Sequence, residues 1–215
     1  MKKEEGVIKF QLDFTPAEPL PLAQLRQINA WRKITYLLQL IGQDPDRYGG
    51  YGFGNLSRRL EPFDAPETQR RFVISGTQTG GLADLTEQHY SLVTAYYPDQ
   101  NRLVAEGPIR PSSESLTHGT IYDLDQELRW VIHAHSPHIW RRAAALELPT
   151  TDAAVSYGTP EMAAEVRRLF AQTDVRKRFI FAMGGHQDGV ISFGRTVAQA
   201  GNVMLTYLAQ AFAMD

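Results

Sequence analysis

Cysteine is absent from this sequence of 215 residues. A disulfide framework, a thiolate metal site and a thiol nucleophile are therefore all excluded. The absence fits a reducing compartment. Long apolar runs are missing too. No window reaches the roughly 18 apolar residues that suggest a bilayer-spanning helix, and Met1 to Phe10 lacks the apolar stretch of a secretory leader. The expectation is a cytoplasmic protein without a membrane partner. Net charge is also small, with 22 Lys and Arg against 24 Asp and Glu. No general basic field is available to attract nucleic acid or anionic lipid. There is no Walker-type P-loop and no GxGxxG opening a helix, so nucleotide sites of those kinds are excluded. Internal repeats, low-complexity tracts and blocks of like charge are absent as well.

What is present is an ordinary globular composition, 43% hydrophobic and 21% charged. A chain of this length buries roughly 70% of its unfolded surface without a covalent staple. One domain over residues 1–215 is expected. Val7 to Phe14 alternates apolar and polar side chains and predicts a strand. Leu22 to Ile41 carries apolar residues at helical spacing and predicts an amphipathic helix ending at Gly42. Residues 49–55, rich in glycine, predict a loop. Short strands are expected at Arg71 to Ser75, Tyr90 to Tyr96, Trp130 to His135, Arg178 to Met183 and Val190 to Phe193. Helices are expected at Ser115 to Leu124, Ile139 to Leu146, Pro160 to Phe170 and Thr196 to Met214. Without a strict βαβ rhythm, this mixture predicts an α/β fold whose helices pack on a mainly antiparallel sheet.

The chemistry concentrates in a few places. His133 and His135 lie two apart on an apolar strand and so project from one face. Neutral imidazoles so placed suit zinc, iron and similar ions. The competing reading is a pair of ordinary polar residues on a solvated face. Trp130 and Ile132 alternate with Val131, so neither face of this strand is plainly solvent, and a half-buried imidazole pair needs partners that a metal supplies. His186, between glycines in Gly184-Gly185-His186-Gln187-Asp188-Gly189, is a weak signal alone; it gains meaning as the third protein ligand of an open catalytic site. Glu114 follows Pro111-Ser112-Ser113 at the start of a helix, with Ser112 or Ser113 as the cap. Such a terminus also suits an anion. Gly54-Asn55, Ser75-Gly76-Thr77 and Ser112-Ser113 are three small-residue turns able to donate N–H or O–H groups to one anion. His118, four residues after Glu114, shares its helix face and either orients the carboxylate or supports the helix, the second being favoured. His138, turned away by Pro137, reads as a bystander, His89 as surface and Tyr157 as core.

The order of Gly54-Asn55-Leu56-Ser57-Arg58, Ser75-Gly76-Thr77, Pro111-Ser112-Ser113-Glu114 with His118, His133-Ala134-His135 and Gly185-His186 resembles the class II aldolase/adducin family. Its members include L-fuculose-phosphate aldolase and L-ribulose-5-phosphate 4-epimerase. The resemblance implies a three-layer α/β/α fold around a mainly antiparallel sheet, zinc on His133, His135 and His186, and Glu114 as the acid/base carboxylate. It implies that Asn55, Ser75, Gly76, Ser112 and Ser113 hold a substrate phosphate, and that the chain forms homotetramers. The epimerase branch has Asp where this chain has Glu114, so the resemblance favours the aldolase or dehydratase side.

Two stretches depart from the pattern. Leu148 to Gly158 is short, and no tyrosine in it aligns with the one that aldolases contribute to a neighbouring subunit's site. The turn after His186 is expanded, which leaves Asp188 without a counterpart. The expected function is a metal-dependent lyase of aldolase or dehydratase type, acting on a small phosphorylated sugar or hydroxycarbonyl compound through a metal-stabilised enediolate. The alternatives are a sugar-phosphate epimerase, a non-catalytic adducin-like assembly domain and a purely structural metal. The full set of histidines with the carboxylate argues against the assembly domain, and the lack of cysteine against a structural zinc.

Overall fold

The strand β8 (Trp130–His135) is buried at every position, and the molecule is organised around it. A strand covered on both faces must sit in the middle of a sheet with packing on each side. The computed structural model describes residues 6–214. In it β8 lies between β4 (Asn55–Arg59) and β10 (Gly189–Gly194), antiparallel to both. Beyond β4 come β5 (Phe72–Ser75), β6 (Tyr90–Tyr97), β7 (Arg102–Gly107) and β1 (Gln11–Pro16); beyond β10 comes β9 (Ile180–Ala182). Every pair in this sheet of eight strands is antiparallel except the edge pair β1–β7, which is parallel. A small hairpin of β2 (Gly42–Gln43) and β3 (Gly52–Phe53) stands apart.

Helices cover both faces. Trp130, Ile132 and Ala134 of β8 share one apolar cluster with Leu25 and Ile28 of α1 (Leu22–Leu37), Ile139 of α3 (Pro137–Arg141) and Met204 of α6 (Val197–Phe212). Val131 joins the opposite cluster with Leu116 and Tyr122 of α2 (Ser115–Leu124), Val166 and Leu169 of α4 (Pro160–Gln172) and Val175 of α5 (Val175–Arg178). Each fully buried aliphatic side chain contributes roughly 1.5–3 kcal/mol to this arrangement. Local signals start the helices. Thr159 and Thr196 cap α4 and α6 by accepting from the backbone N–H of Met162 and Gln199, and Pro160 occupies the first helical position of α4. No helix among the described residues is long and apolar enough to cross a membrane.

The structure corrects several expected elements. The first strand begins at Gln11 rather than Val7. Helix α1 stops at Leu37 instead of Ile41. Gln39 turns to a φ of 56°, which frees the Leu40 carbonyl to accept from His135 N at 2.9 Å. The helical apolar spacing thus continues into residues that serve the sheet. Helix α3 ends at Arg141, short of Leu146. The strands β4 and β7 are additions. β4 reads NLSRR and hides its strand character because Ser57, Arg58 and Arg59 are polar; Arg59 is nevertheless buried and donates to the Gln126 and Phe63 carbonyls.

Candidate metal centre

Four chain segments meet at the C-terminal end of β8. The two-residue period of the strand puts Val131, His133 and His135 on one face. His133 pairs in register with Asn55 of β4, and His135 with Gly189 of β10. Cross-strand neighbours lie side by side, and Asn55 Nδ2 is 3.2 Å from His133 Nδ1. His186 arrives on the loop between β9 and β10. That loop is tight: His186 N donates to the Met183 carbonyl, and Gly189 N to the His186 carbonyl. Glycine is required beside it. A Cβ on Gly185 would lie 1.9 Å from the Val155 carbonyl oxygen, and one on Gly184 2.3 Å from that of Thr151.

The three rings come together. Their centroids are 5.0 Å (His133–His135), 5.1 Å (His133–His186) and 4.8 Å (His135–His186) apart. One nitrogen from each lies within 4.8 Å of the others, and all three residues are buried. Burial first, then the charges of His186, His133 and Arg47, hold His135 well below its ordinary value. Its neutral ring keeps a lone pair for coordination at pH 7. Three adjoining imidazoles without a thiolate form a donor set that fits a divalent ion such as zinc.

Glu114 is the N-cap of α2 rather than a first-turn residue. Its side chain accepts no capping bond there. Instead Ser112 Oγ accepts from Glu114 N at 3.3 Å, and Glu114 Oε1 lies 3.3 Å from His186 Nδ1. Burial raises this carboxyl, but the charge of His133, the contact and charge of His186 and the charge of His118 outweigh it. Together they hold the group at about 2. It is a carboxylate at neutral pH.

His118 lies one turn after Glu114 on α2, its N donating to the Glu114 carbonyl at 3.1 Å. It is fully buried, and its Nδ1 is 2.7 Å from Ser57 Oγ, which is in turn 2.7 Å from Tyr122 Oη. Burial and then the charge of His133 lower His118 to about 3, against the opposing pull of Glu114. It stands neutral inside this buried polar chain. Tyr157 is buried as expected, but it also stacks on His186 with centroids 4.5 Å apart. His138 packs edge-on against Phe212 and stands outside the cluster.

Asn55, Gly76, Ser112 and Ser113 line one recess of about 20 Å³ together with Gly52 and Gly54. Ser75 stands behind it, with its Oγ accepting from Leu56 N at 3.2 Å. Sequence reasoning missed Tyr48 and Arg47. Tyr48 packs edge-on against His135 at 4.6 Å and donates to Asp188 Oδ2 at 2.6 Å. The only hint was an aromatic and a cation at the margin of the glycine-rich loop. A more open cavity of about 390 Å³, near the end of α1, shares Arg47 and Phe53 with the surroundings of His135.

The fold recurs in known structures. YgbL from Escherichia coli superposes with a TM-score of 0.64 at 16% identity, over 89% of this chain and 88% of that one. L-fuculose-1-phosphate aldolase from Thermus thermophilus gives 0.59 at 20% identity, over 90% and 91%. A sugar-phosphate aldolase from Thermotoga maritima gives 0.63 at 15%, over 89% and 93%. At these identities the likeness concerns the fold. Comparison with curated proteins finds no match. The family model for the class II aldolase and adducin N-terminal domain matches residues 45–213, a span holding all four chain segments that meet at the three imidazoles, and the chain belongs to that family.

Proposed function

We propose that this protein is a metal-dependent lyase, of aldolase or dehydratase type, acting on a small phosphorylated sugar or hydroxycarbonyl compound. The observation that supports it best is the approach of three buried imidazoles to one another with a buried carboxylate 3.3 Å from one of them. His133, His135 and His186 would hold the ion, with zinc the expected metal. When bound, a divalent ion there supplies Lewis-acid stabilisation of negative charge developing on a substrate oxygen.

Glu114, buried beside His186, would accept a proton from a substrate carbon or hydroxyl and return it later. Asn55, Ser112 and Ser113 offer donors to the substrate's anionic end, with Gly76 beside them, its own N–H engaged by the His89 carbonyl. Ser75 supports that surface from behind through Leu56. Assembly as a homotetramer belongs to the same proposal.

The test is elemental analysis of protein reloaded with zinc after chelation, beside His135→Ala. About one equivalent is expected in the wild type and far less in the variant; equal loading refutes the ligand set. A screen of ketose phosphates and aldehydes then follows retro-aldol, dehydration and epimerisation products. Glu114→Gln is expected to lower kcat by about 10²–10⁴-fold, and unchanged turnover refutes its role.

A further inference from the structure

We infer that Arg47, Tyr48 and Asp188 form a clamp that positions His135 and His186 for their shared ion. The inference depends on the metal-centre reading above but concerns residues to which that reading assigns no part.

Tyr48 and Asp188 are 140 residues apart in sequence and meet through one hydrogen bond, the phenol donating to Asp188 Oδ2 at 2.6 Å. The Arg47 guanidinium donates to the same phenol oxygen through Nη2, and that nitrogen lies 3.8 Å from Asp188 Oδ2. One end of the bond packs on a candidate ligand, and the other is tied to the backbone beside two of them. The Tyr48 ring packs edge-on against His135 with centroids 4.6 Å apart. Asp188 follows His186 by two residues, and its carbonyl accepts from Ser136 N, the residue after His135, at 2.8 Å. Phe53, tilted against His135 at 5.3 Å, is braced by Tyr48 at 5.1 Å and lies beneath the Arg47 guanidinium. The strand carrying two imidazoles and the loop carrying the third are thus tied together from outside the cluster.

The backbone points the same way. Tyr48 has a φ of 51° and Asp188 a φ of 63°. Side-chain-bearing residues rarely adopt this left-handed region, and such conformations persist only where surroundings over-determine them. Here both partners of a single half-buried hydrogen bond adopt it. Asp188 is buried, and only one of its carboxylate oxygens is engaged by the clamp. A carboxylate brought so far out of water needs the phenol and the guanidinium beside it. Groups that hold ligand rings in place commonly contribute 10–100-fold in metal affinity.

The experiment uses the full chain, stripped with chelator and titrated with Co²⁺, reading affinity by calorimetry and geometry from the visible spectrum. Tyr48→Phe keeps the ring and removes only the hydroxyl; Asp188→Ala removes its acceptor. Each is expected to weaken Co²⁺ binding by about 10–100-fold and to alter the visible bands. The double variant is expected to be no weaker than the weaker single one. Asp188→Asn, which retains an acceptor for the phenol, is expected to recover part of the loss. His138→Ala controls for surface binding. Affinities within twofold of wild type, or losses that multiply in the double variant, would overturn the clamp while leaving the metal centre standing. A drop in melting temperature of the metal-free variants that accounts for the whole loss would overturn it too. Wild-type protein that binds no Co²⁺ would overturn the metal-centre reading, and the clamp with it.

Discussion

Acidifying the metal-free protein should destabilise it, and His118 provides a way to measure one share of that effect. The ring is fully buried and is held at about 3 against an ordinary 6.5, chiefly by burial and then by the charge of His133. The folded state therefore refuses a proton that the unfolded chain accepts. Stability is complete above pH 6.5 and falls as the pH descends toward 3, because the unfolded state binds more protons throughout that window. At 1.36 kcal/mol per pH unit, the full effect of this one group is about 5 kcal/mol. Between pH 7 and pH 5, where only the unfolded chain titrates, it is about 2 kcal/mol.

His118→Gln removes the titration while keeping an amide able to reach Ser57. Urea unfolding of the chelated wild type and variant at pH 7, 6 and 5 isolates the contribution. The constant cost of the substitution cancels in the pH dependence, and the other histidines titrate in both proteins. The stability gap between the two should shrink by about 2 kcal/mol from pH 7 to pH 5, roughly 1 M in urea midpoint for a chain of this size. Parallel curves would refute the reasoning, because they would mean that His118 protonates as easily in the fold as outside it.

Three further outcomes are expected. Gly185→Ala places a methyl group 1.9 Å from the Val155 carbonyl oxygen; a loss of about 1–3 kcal/mol is expected by urea unfolding, and an unchanged midpoint would show that the loop relaxes freely. Thr159→Ala deletes the oxygen that accepts from Met162 N at the start of α4; the cost should be about 1 kcal/mol by the same measurement. Zinc added at about 100 times its Kd should stabilise the chelated protein by about 2.7 kcal/mol, seen as a concentration-dependent rise in Tm, and a Tm indifferent to zinc would count against a folded-state site.

Where the sequence was informative, a strong local period had a matching tertiary partner. Trp130 to His135 announced a strand with two imidazoles on one side, and the fold buries all six residues. Pro160 to Phe170 announced a helix, and the structure caps it with Thr159. Elements whose local pattern served another purpose were harder to read. The polar residues of β4 conceal a central strand because Ser57 faces His118 and Tyr122. Leu40 and Ile41 continue the apolar spacing of α1 while belonging to the turn toward β2.

By itself the sequence determined the types and order of the reactive groups: two histidines one strand period apart, a third in a glycine turn and a carboxylate at a helix start. Those properties are local, because the period of a strand and the capping of a helix depend on neighbouring residues. Only the tertiary structure decided which distant groups share a neighbourhood. It seated Tyr157 on His186, linked His118 to Ser57 and brought Tyr48 to Asp188 across 140 residues. Such meetings depend on how sheet and helices pack as a whole, and no local period in the chain encodes them.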